Sequence, residues 1–329
     1  MNGAARTWAV VLAAGEGTRL ASLTRDAAGN AVPKQFCSLN GGSSLLQDAI
    51  QRARQVVTPE RTCAIVAKQH ARHWREALRS LPPANIIIQP QNRGTANGVL
   101  LCVLSILQRD PLARIIFLPA DHFVLDESAL QRSLRELTTS LAHNPDGITL
   151  IGIAPDEPDP ELGYIVPGRT LSDGSRTVAR FVEKPAAPFA DELFEKKALW
   201  NSFIFGAAGP ALLALLRLQM GKAVEQMATA LAREVQEAGC RALAELYEHL
   251  PSVDFSRAVA QQFPSRLRVI AAPACGWTDL GTPGRVAATV RRLIEQAPTP
   301  TPARRRARPW SSHGLINLAA RHARLALAG

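Results

Sequence analysis

Aromatic side chains make up only 5% of this 329-residue chain, and its five cysteines never fall in a paired spacing. The first scarcity leaves few rings for stacking bases, which speaks against a nucleic-acid surface. The second excludes a zinc knuckle or a redox pair; Cys37, Cys63, Cys102, Cys240 and Cys275 read as reduced thiols, mostly packed in a core. No apolar run reaches membrane-spanning length, and residues 1 to 7 lack the apolar centre of a signal peptide, so a cytoplasmic protein with no membrane span is expected. Acids are also missing beyond Glu295, where Arg304, Arg305, Arg306, Arg308, Arg321 and Arg324 gather. The net charge of +10 therefore belongs mostly to the tail, and the body carries 32 bases against 28 acids. That distribution argues against a nucleic-acid partner. Residues 298–329 read as a Pro/Arg-rich linker and a short amphipathic tail around Leu315, Ile316 and Leu318, leaving 1–297 as the main domain.

What is plentiful is aliphatic. Hydrophobic residues reach 47%, the filling of a sheet covered by helices. Apolar runs at 8–13, 62–67, 85–89 and 114–119 alternate with helical patterns around 44–57, 70–80 and 95–109. This is the βαβα rhythm of a doubly wound α/β fold. A helix at 127–141 and a strand at 147–153 follow; then a Pro- and Gly-rich stretch with short strands predicts an inserted β region. Helices are expected at 189–198, 209–217, 222–238 and 241–249, and a last strand precedes a helix starting near Thr282.

The first strand runs into Gly15-Glu16-Gly17-Thr18-Arg19, with Pro33-Lys34-Gln35 close behind. Two glycines leave backbone N–H groups bare for an anion, and Arg19 and Lys34 add full positive charges, so the segment reads as a triphosphate cradle. It is not a Walker loop, because Lys-Ser/Thr does not follow the last glycine. It is not a dinucleotide fingerprint either, since Leu20 stands where a third glycine is needed.

Other polar residues sit at strand ends, where such sheets bind ligands. Asp121 closes the strand IIFLPAD, and Asp279 lies in GWTDLG; two carboxylates of this kind suit Mg2+ beside phosphates, although a turn aspartate is an equal reading for Asp279. Gln89-Pro-Gln-Asn-Arg-Gly94-Thr95 offers an amide for a nucleobase edge, while Thr95 also fits a helix N-cap. Glu183 and Lys184 end the strand FVEKP, and Asn201 follows Trp200 beside another strand.

In their order LAAGEGTRL, VPKQF, QPQNRGTA, LPADH, LGYI, FVEKP, LWNSFIF, SVDF and GWTDLG, the motifs resemble the sugar-phosphate nucleotidyltransferases, and most closely their bacterial mannose-1-phosphate guanylyltransferase branch, over residues 8 to 293. The resemblance implies a Rossmann-like mixed sheet of the nucleotide-diphospho-sugar transferase type, with its inserted β region serving the sugar. It implies that Ala13, Ala14, Gly15, Gly17, Thr18, Arg19 and Lys34 hold a triphosphate and that Gln89, Gly94 and Thr95 follow guanine and ribose. Asp121 and Asp279 would share Mg2+; Gly163, Glu183, Lys184 and Asn201 would hold the sugar 1-phosphate. Arg19, Lys34, Asp121 and Asp279 would then carry catalysis of guanylyl transfer from GTP to mannose 1-phosphate.

Four departures stand out against that pattern. Phe203 follows the WNS motif where a glycine is usual, the link 21–32 is long, Asn97-Gly98 replaces Pro-Ala, and no isomerase-type cupin or complete β-helix follows, so a single activity is expected. Rival expectations are UTP or dTTP with glucose 1-phosphate, and a regulatory protein that binds a nucleotide sugar without turning it over. A homo-oligomer is compatible with any of them.

Overall fold

A computed structural model describes residues 6–26, 28–237 and 240–296, so the expected linker and tail at 298–329 lie outside the described residues. Strand β1 (Thr7–Ala13) is covered along nearly its whole length, as the run Val10-Val11-Leu12 requires. Helix α1 (Leu45–Arg54) then crosses over to β2 (Thr62–Ala67), α2 (Ala71–Ala77) leads to β3 (Ile86–Gln89), and α3 (Gly94–Leu107) leads to β4 (Arg114–Pro119). All four strands are parallel, in the order β3-β2-β1-β4. Ser44 begins α1 in a reciprocal capping box with Gln47, which satisfies two backbone donors that a helix start leaves unpaired.

The second half adds α4 (Glu127–Ser140), β5 (Ile148–Ile153), the hairpin β6 (Tyr164–Thr170) and β7 (Arg176–Val182), and α5 (Ala187–Glu195). Then come β8 (Leu199–Ala208), α6 (Gly209–Gln236), α7 (Ala242–His249), β9 (Leu267–Ala271) and α8 (Pro283–Gln296). The whole forms one nine-stranded mixed sheet, β3-β2-β1-β4-β8-β5-β9-β7-β6. Strand β8 runs antiparallel between β4 and β5. Its ten residues are long enough for Tyr164 and Ile165 of β6 to pair with its first two residues as well, so the β region is the curled edge of the same sheet and not a separate patch. The two helices expected at 209–217 and 222–238 are present within Gly209–Gln236, separated by a kink at the non-helical Met220 (φ −142°, ψ 42°) beside Gly221.

Ring stacking ties the sheet to the segment after α7. Phe117 of β4 stacks on Phe205 of β8 with centroids 4.8 Å apart, and Phe205 on Phe255 at 4.8 Å. Each such pair contributes about 0.5–1.5 kcal/mol beyond simple burial. Cys63, Cys102 and Cys275 are buried thiols, and burial pushes Cys63 up to about 11. Among the described residues no helix is long and apolar enough to cross a membrane. The chain leaves β1 toward β2 on one side while β4 lies on the other, which opens a crevice at the strand ends.

Candidate active site

The phosphate cradle is built by close approach. Gly17 has φ +62°, and a Cβ there would sit 2.9 Å from the backbone nitrogen of Lys34, so glycine is required for conformation and for contact. Gln35, part of VPKQF but given no role by the motif, donates from Nε2 to the carbonyls of Ala13 (3.1 Å) and Gly15 (2.8 Å), fixing the loop. The long link behind it folds back on itself through an Arg25–Ala31 bridge.

Asp121 and Asp279 are far apart in sequence and are brought together by backbone pairing. Phe123 and Thr278 exchange two N–H to carbonyl bonds of 2.9 Å, laying the GWTDLG loop against the chain leaving β4. Lys34 fills the space between them: its Nζ is 3.1 Å from Asp121 Oδ2 and donates to the carbonyls of Asp279 and Leu280. Its side chain is 7% exposed. Lys34, expected at the triphosphate, makes its contacts here with Asp121 and the loop, and it is not among the residues that line the cavity. The reason is local geometry: the 3₁₀ turn Lys34–Phe36 points its first side chain inward. Withdrawal from bulk water opposes the charge of Asp121, yet the Lys34 charge and its hydrogen bond outweigh it and hold the carboxyl below the usual range. Burial pushes the His122 imidazole down to about 4, so at neutrality it is uncharged.

Helix α3 aims its N-terminus at the same space. Gln89 is buried and donates to the Gln91 carbonyl at 2.7 Å. Thr95 is not the N-cap; Arg93 holds that position, and the Thr95 hydroxyl donates to Asp254 (3.2 Å) and accepts from the Phe255 N–H (2.8 Å). The SVDF motif therefore brings Ser252 and Asp254 into the site, residues that no spacing rule had assigned a place.

At the opposite end, Asn201 N–H donates to the Gly163 carbonyl at 2.8 Å, and a Cβ on Gly163 would lie 2.6 Å from Glu183 Oε2. The Asn201 side-chain oxygen accepts from Phe203 N–H (3.1 Å), and Phe203 has φ +56°. The left-handed residue sits inside β8, where its pairing with β5 shifts register, which accounts for the usual glycine; here the ring is held edge-on to Phe205 and Phe255. Lys184 is left-handed too, at φ +49°. Its Nζ and Arg19 Nη1 each lie 3.5 Å from one oxygen of Glu161, so the two cations converge.

Burial, and next the Asp254 charge, push Glu183 up to about 7 from an ordinary value of 4.5. Between those two values the unfolded chain has released a proton that the folded chain keeps, so stability is expected to fall as pH rises across that window, by on the order of 3 kcal/mol. Thermal melting from pH 4 to 8 checks this, with Glu183→Gln expected to flatten the slope.

All these groups border one cavity of about 480 Å³, which takes in every residue expected at the site other than Ala13, Lys34 and Thr18, the side chain of the last lying outside the described residues. A crevice lined by a glycine loop, a helix N-terminus, convergent cations and paired carboxylates defines a nucleotide-handling α/β protein. The chain belongs to the nucleotidyl transferase family, whose profile matches residues 8–293. It is 29% identical over 294 residues to the mannose-1-phosphate guanylyltransferase RfbM of Salmonella typhimurium, covering 83% of this chain and 56% of that one. It is equally 29% identical to the alginate biosynthesis protein AlgA of Pseudomonas putida, with the same two coverages. The chain thus spans just over half the length of these curated relatives. A crystal structure described as a mannose-1-phosphate geranyltransferase from Thermus thermophilus superposes with a TM-score of 0.73 at 30% identity, covering 89% of this chain and 80% of that one. The inositol-1-phosphate CTP transferase of T. maritima, at 15% identity and a TM-score of 0.55, shares the fold, over 88% of this chain and 95% of its own.

Proposed function

We propose that the chain transfers guanylyl from GTP to mannose 1-phosphate, giving GDP-mannose and pyrophosphate. The observation that carries this reading is the meeting of Arg19 and Lys184, cations from the nucleotide end and the sugar end, at one Glu161 oxygen on the wall of a single cavity. The choice of GTP is supported by the name that RfbM bears, and that of mannose 1-phosphate by the names of both RfbM and the Thermus protein.

The nucleophile is a sugar-phosphate oxygen. A phosphate monoester is largely dianionic near neutrality, its second pKa being about 6, so no protein base is needed. The barrier is repulsion between anions, about 4 kcal/mol per like-charge pair at 4 Å and an effective dielectric of 20. Arg19 and Lys184 are placed to offset it, while the cradle at Gly15 and Gly17 and the α3 N-terminus align the triphosphate. Attack at the α-phosphorus forms the new P–O bond as the bond to the pyrophosphate oxygen breaks.

The donor set also fits Mg2+. Asp121 has one oxygen on Lys34 and the other 3.6 Å from His122; Asp279 has Oδ1 on Gly281 N–H and Arg285, with Oδ2 left over. Two hard carboxylates beside substrate phosphates match the way Mg2+ is held, with waters completing its shell. When bound, it would neutralise charge on the transferring phosphate. Among the described residues no group of three or more His, Cys, Asp or Glu forms an all-protein cage.

Pyrophosphate release from each NTP paired with each common hexose 1-phosphate is the test. The GTP and mannose 1-phosphate pair is expected to turn over at least tenfold faster than any other. Faster use of UTP or dTTP with glucose 1-phosphate moves the substrate assignment, and tight nucleotide-sugar binding without turnover with any pair makes the protein a sensor.

A further inference from the structure

Arg285, in the first turn of α8, belongs to no phosphate motif, yet it joins the two ends of the site. Its side chain is only 13% exposed. One guanidinium nitrogen donates to Asp279 Oδ1, the other lies in ion contact with Asp159 Oδ2 without a hydrogen bond, and the guanidinium carbon lies 5.9 Å from the Trp200 ring centroid. Those partners come from three separate segments. Asp279 is in the GWTDLG loop at the nucleotide end. Asp159 is in the loop that delivers Gly163 to β6. Trp200 neighbours Asn201 at the start of β8, and it packs on Trp277 at 6.3 Å.

The Asp279 carboxylate is held from two sides. Gly281 N–H donates to the same Oδ1 at 2.9 Å, and a Cβ on Gly281 would come within 2.3 Å of Oδ2. Both bonds fall on Oδ1, so Oδ2 is the oxygen left over. A planar guanidinium can serve two carboxylates at fixed angles while lying near an indole face; a lysine ammonium is a point charge on a flexible stem and cannot.

We propose that Arg285 is a positioning residue: it fixes the Asp279 carboxylate where that group would hold a divalent cation beside the nucleotide phosphates and, through Asp159 and Trp200, sets the sugar edge formed by Gly163 and Asn201. One side chain then governs the distance between the two reacting substrates, the quantity on which in-line transfer depends. This rests on the reading of the site given above.

Arg285→Lys in the full chain keeps the charge and removes the fork, so it separates geometry from electrostatics. With Mn2+ as the probe, titrated by electron paramagnetic resonance in the presence of GTP, affinity is expected to fall about tenfold, the scale seen when the support of a metal ligand is lost. KM for mannose 1-phosphate is expected to rise by a similar factor, KM for GTP to change less than about threefold, and the melting temperature to stay near that of the unaltered chain. Asp159→Asn leaves the Asp279 pair in place; it is expected to raise the sugar-phosphate KM alone, and it tests the idea should Arg285→Lys not fold. Unchanged Mn2+ affinity and sugar KM in Arg285→Lys, or tighter Mn2+ binding, would overturn the positioning role. Asp279→Asn separates the two levels of the argument. If it weakens Mn2+ binding while Arg285→Lys does not, only the role of Arg285 falls; if it leaves Mn2+ binding and turnover unchanged, the assignment of Asp279 falls, and the role of Arg285 with it.

Discussion

Lys34→Met is expected to lower kcat by about a hundredfold while changing KM for GTP much less, the pattern of a group that stabilises the transition state without holding the ground-state ligand. Lys34 does not border the cavity; it neutralises Asp121 from behind at 3.1 Å and pins the carbonyls of Asp279 and Leu280. Methionine fills the space and removes the charge. Asp121 loses its cation and the loop bearing Asp279 loses its tether, so both carboxylates drift from their places. Breaking a fully buried pair costs about 3–5 kcal/mol. Asp121 is 37% exposed, so water compensates in part and a loss of about 2 kcal/mol is expected.

The pH dependence of the same variant has a definite sign. Lys34 helps to hold the Asp121 carboxyl below the usual carboxylate range. A carboxyl lowered in the folded state stabilises the protein above its unfolded value and ceases to do so as pH falls through the folded value. Without Lys34 the folded value rises, so the acid limb of activity is expected to move to higher pH. Kinetics from pH 4 to 7 alongside urea denaturation provide the check. A large rise in KM for GTP with kcat retained would instead place Lys34 on the triphosphate.

Much of the candidate site is legible in the sequence. Strands β1, β2 and β4 are continuous apolar runs with one physical explanation, burial on both faces, so Gly15 and Asp121 at their ends fell into place. The resemblance supplies Gly163 and the sugar-binding role of Glu183, which composition alone does not. What stayed illegible depends on partners distant in the chain. The part of Lys34 follows from Asp121 and the carbonyl of Asp279, and that of Arg285 from Asp159 and Asp279; no spacing rule encodes such encounters. Strand β8 hid its place because a mixed apolar and polar segment, LWNSFIFGAA, does not announce that it will run antiparallel between β4 and β5. Thr95 looked like a cap because hydroxyls at helix starts usually are, and here tertiary contact with Phe255 took precedence.

Gly94→Ala is expected to have the largest effect of any single methyl added to the site. Gly94 has φ +81°, where an L-residue costs about 1–2 kcal/mol by itself. The more severe term is contact, because a Cβ there would lie 2.3 Å from the Val253 carbonyl oxygen and 2.7 Å from its nitrogen, and backbone cannot rotate aside. Separation would break the bonds from Val253 N–H to the Arg93 carbonyl (3.1 Å) and from Ala96 N–H to the Val253 carbonyl (3.0 Å), each worth about 1 kcal/mol. The total exceeds about 4 kcal/mol, in the range that few point changes reach. Moving that segment also carries Ser252 and Asp254 away from the cavity and displaces the α3 N-terminus, so any folded fraction is expected to lose most of its turnover. Gly174→Ala supplies the comparison: Gly174 has φ +82° in the β6–β7 turn with nothing within 4 Å of an added Cβ. It bears the conformational cost alone, and is expected to lose about 1–2 kcal/mol in urea denaturation with turnover intact. Equal losses in the two variants would show that the left-handed conformation, and not the packing of Val253 against α3, is what glycine supplies at position 94.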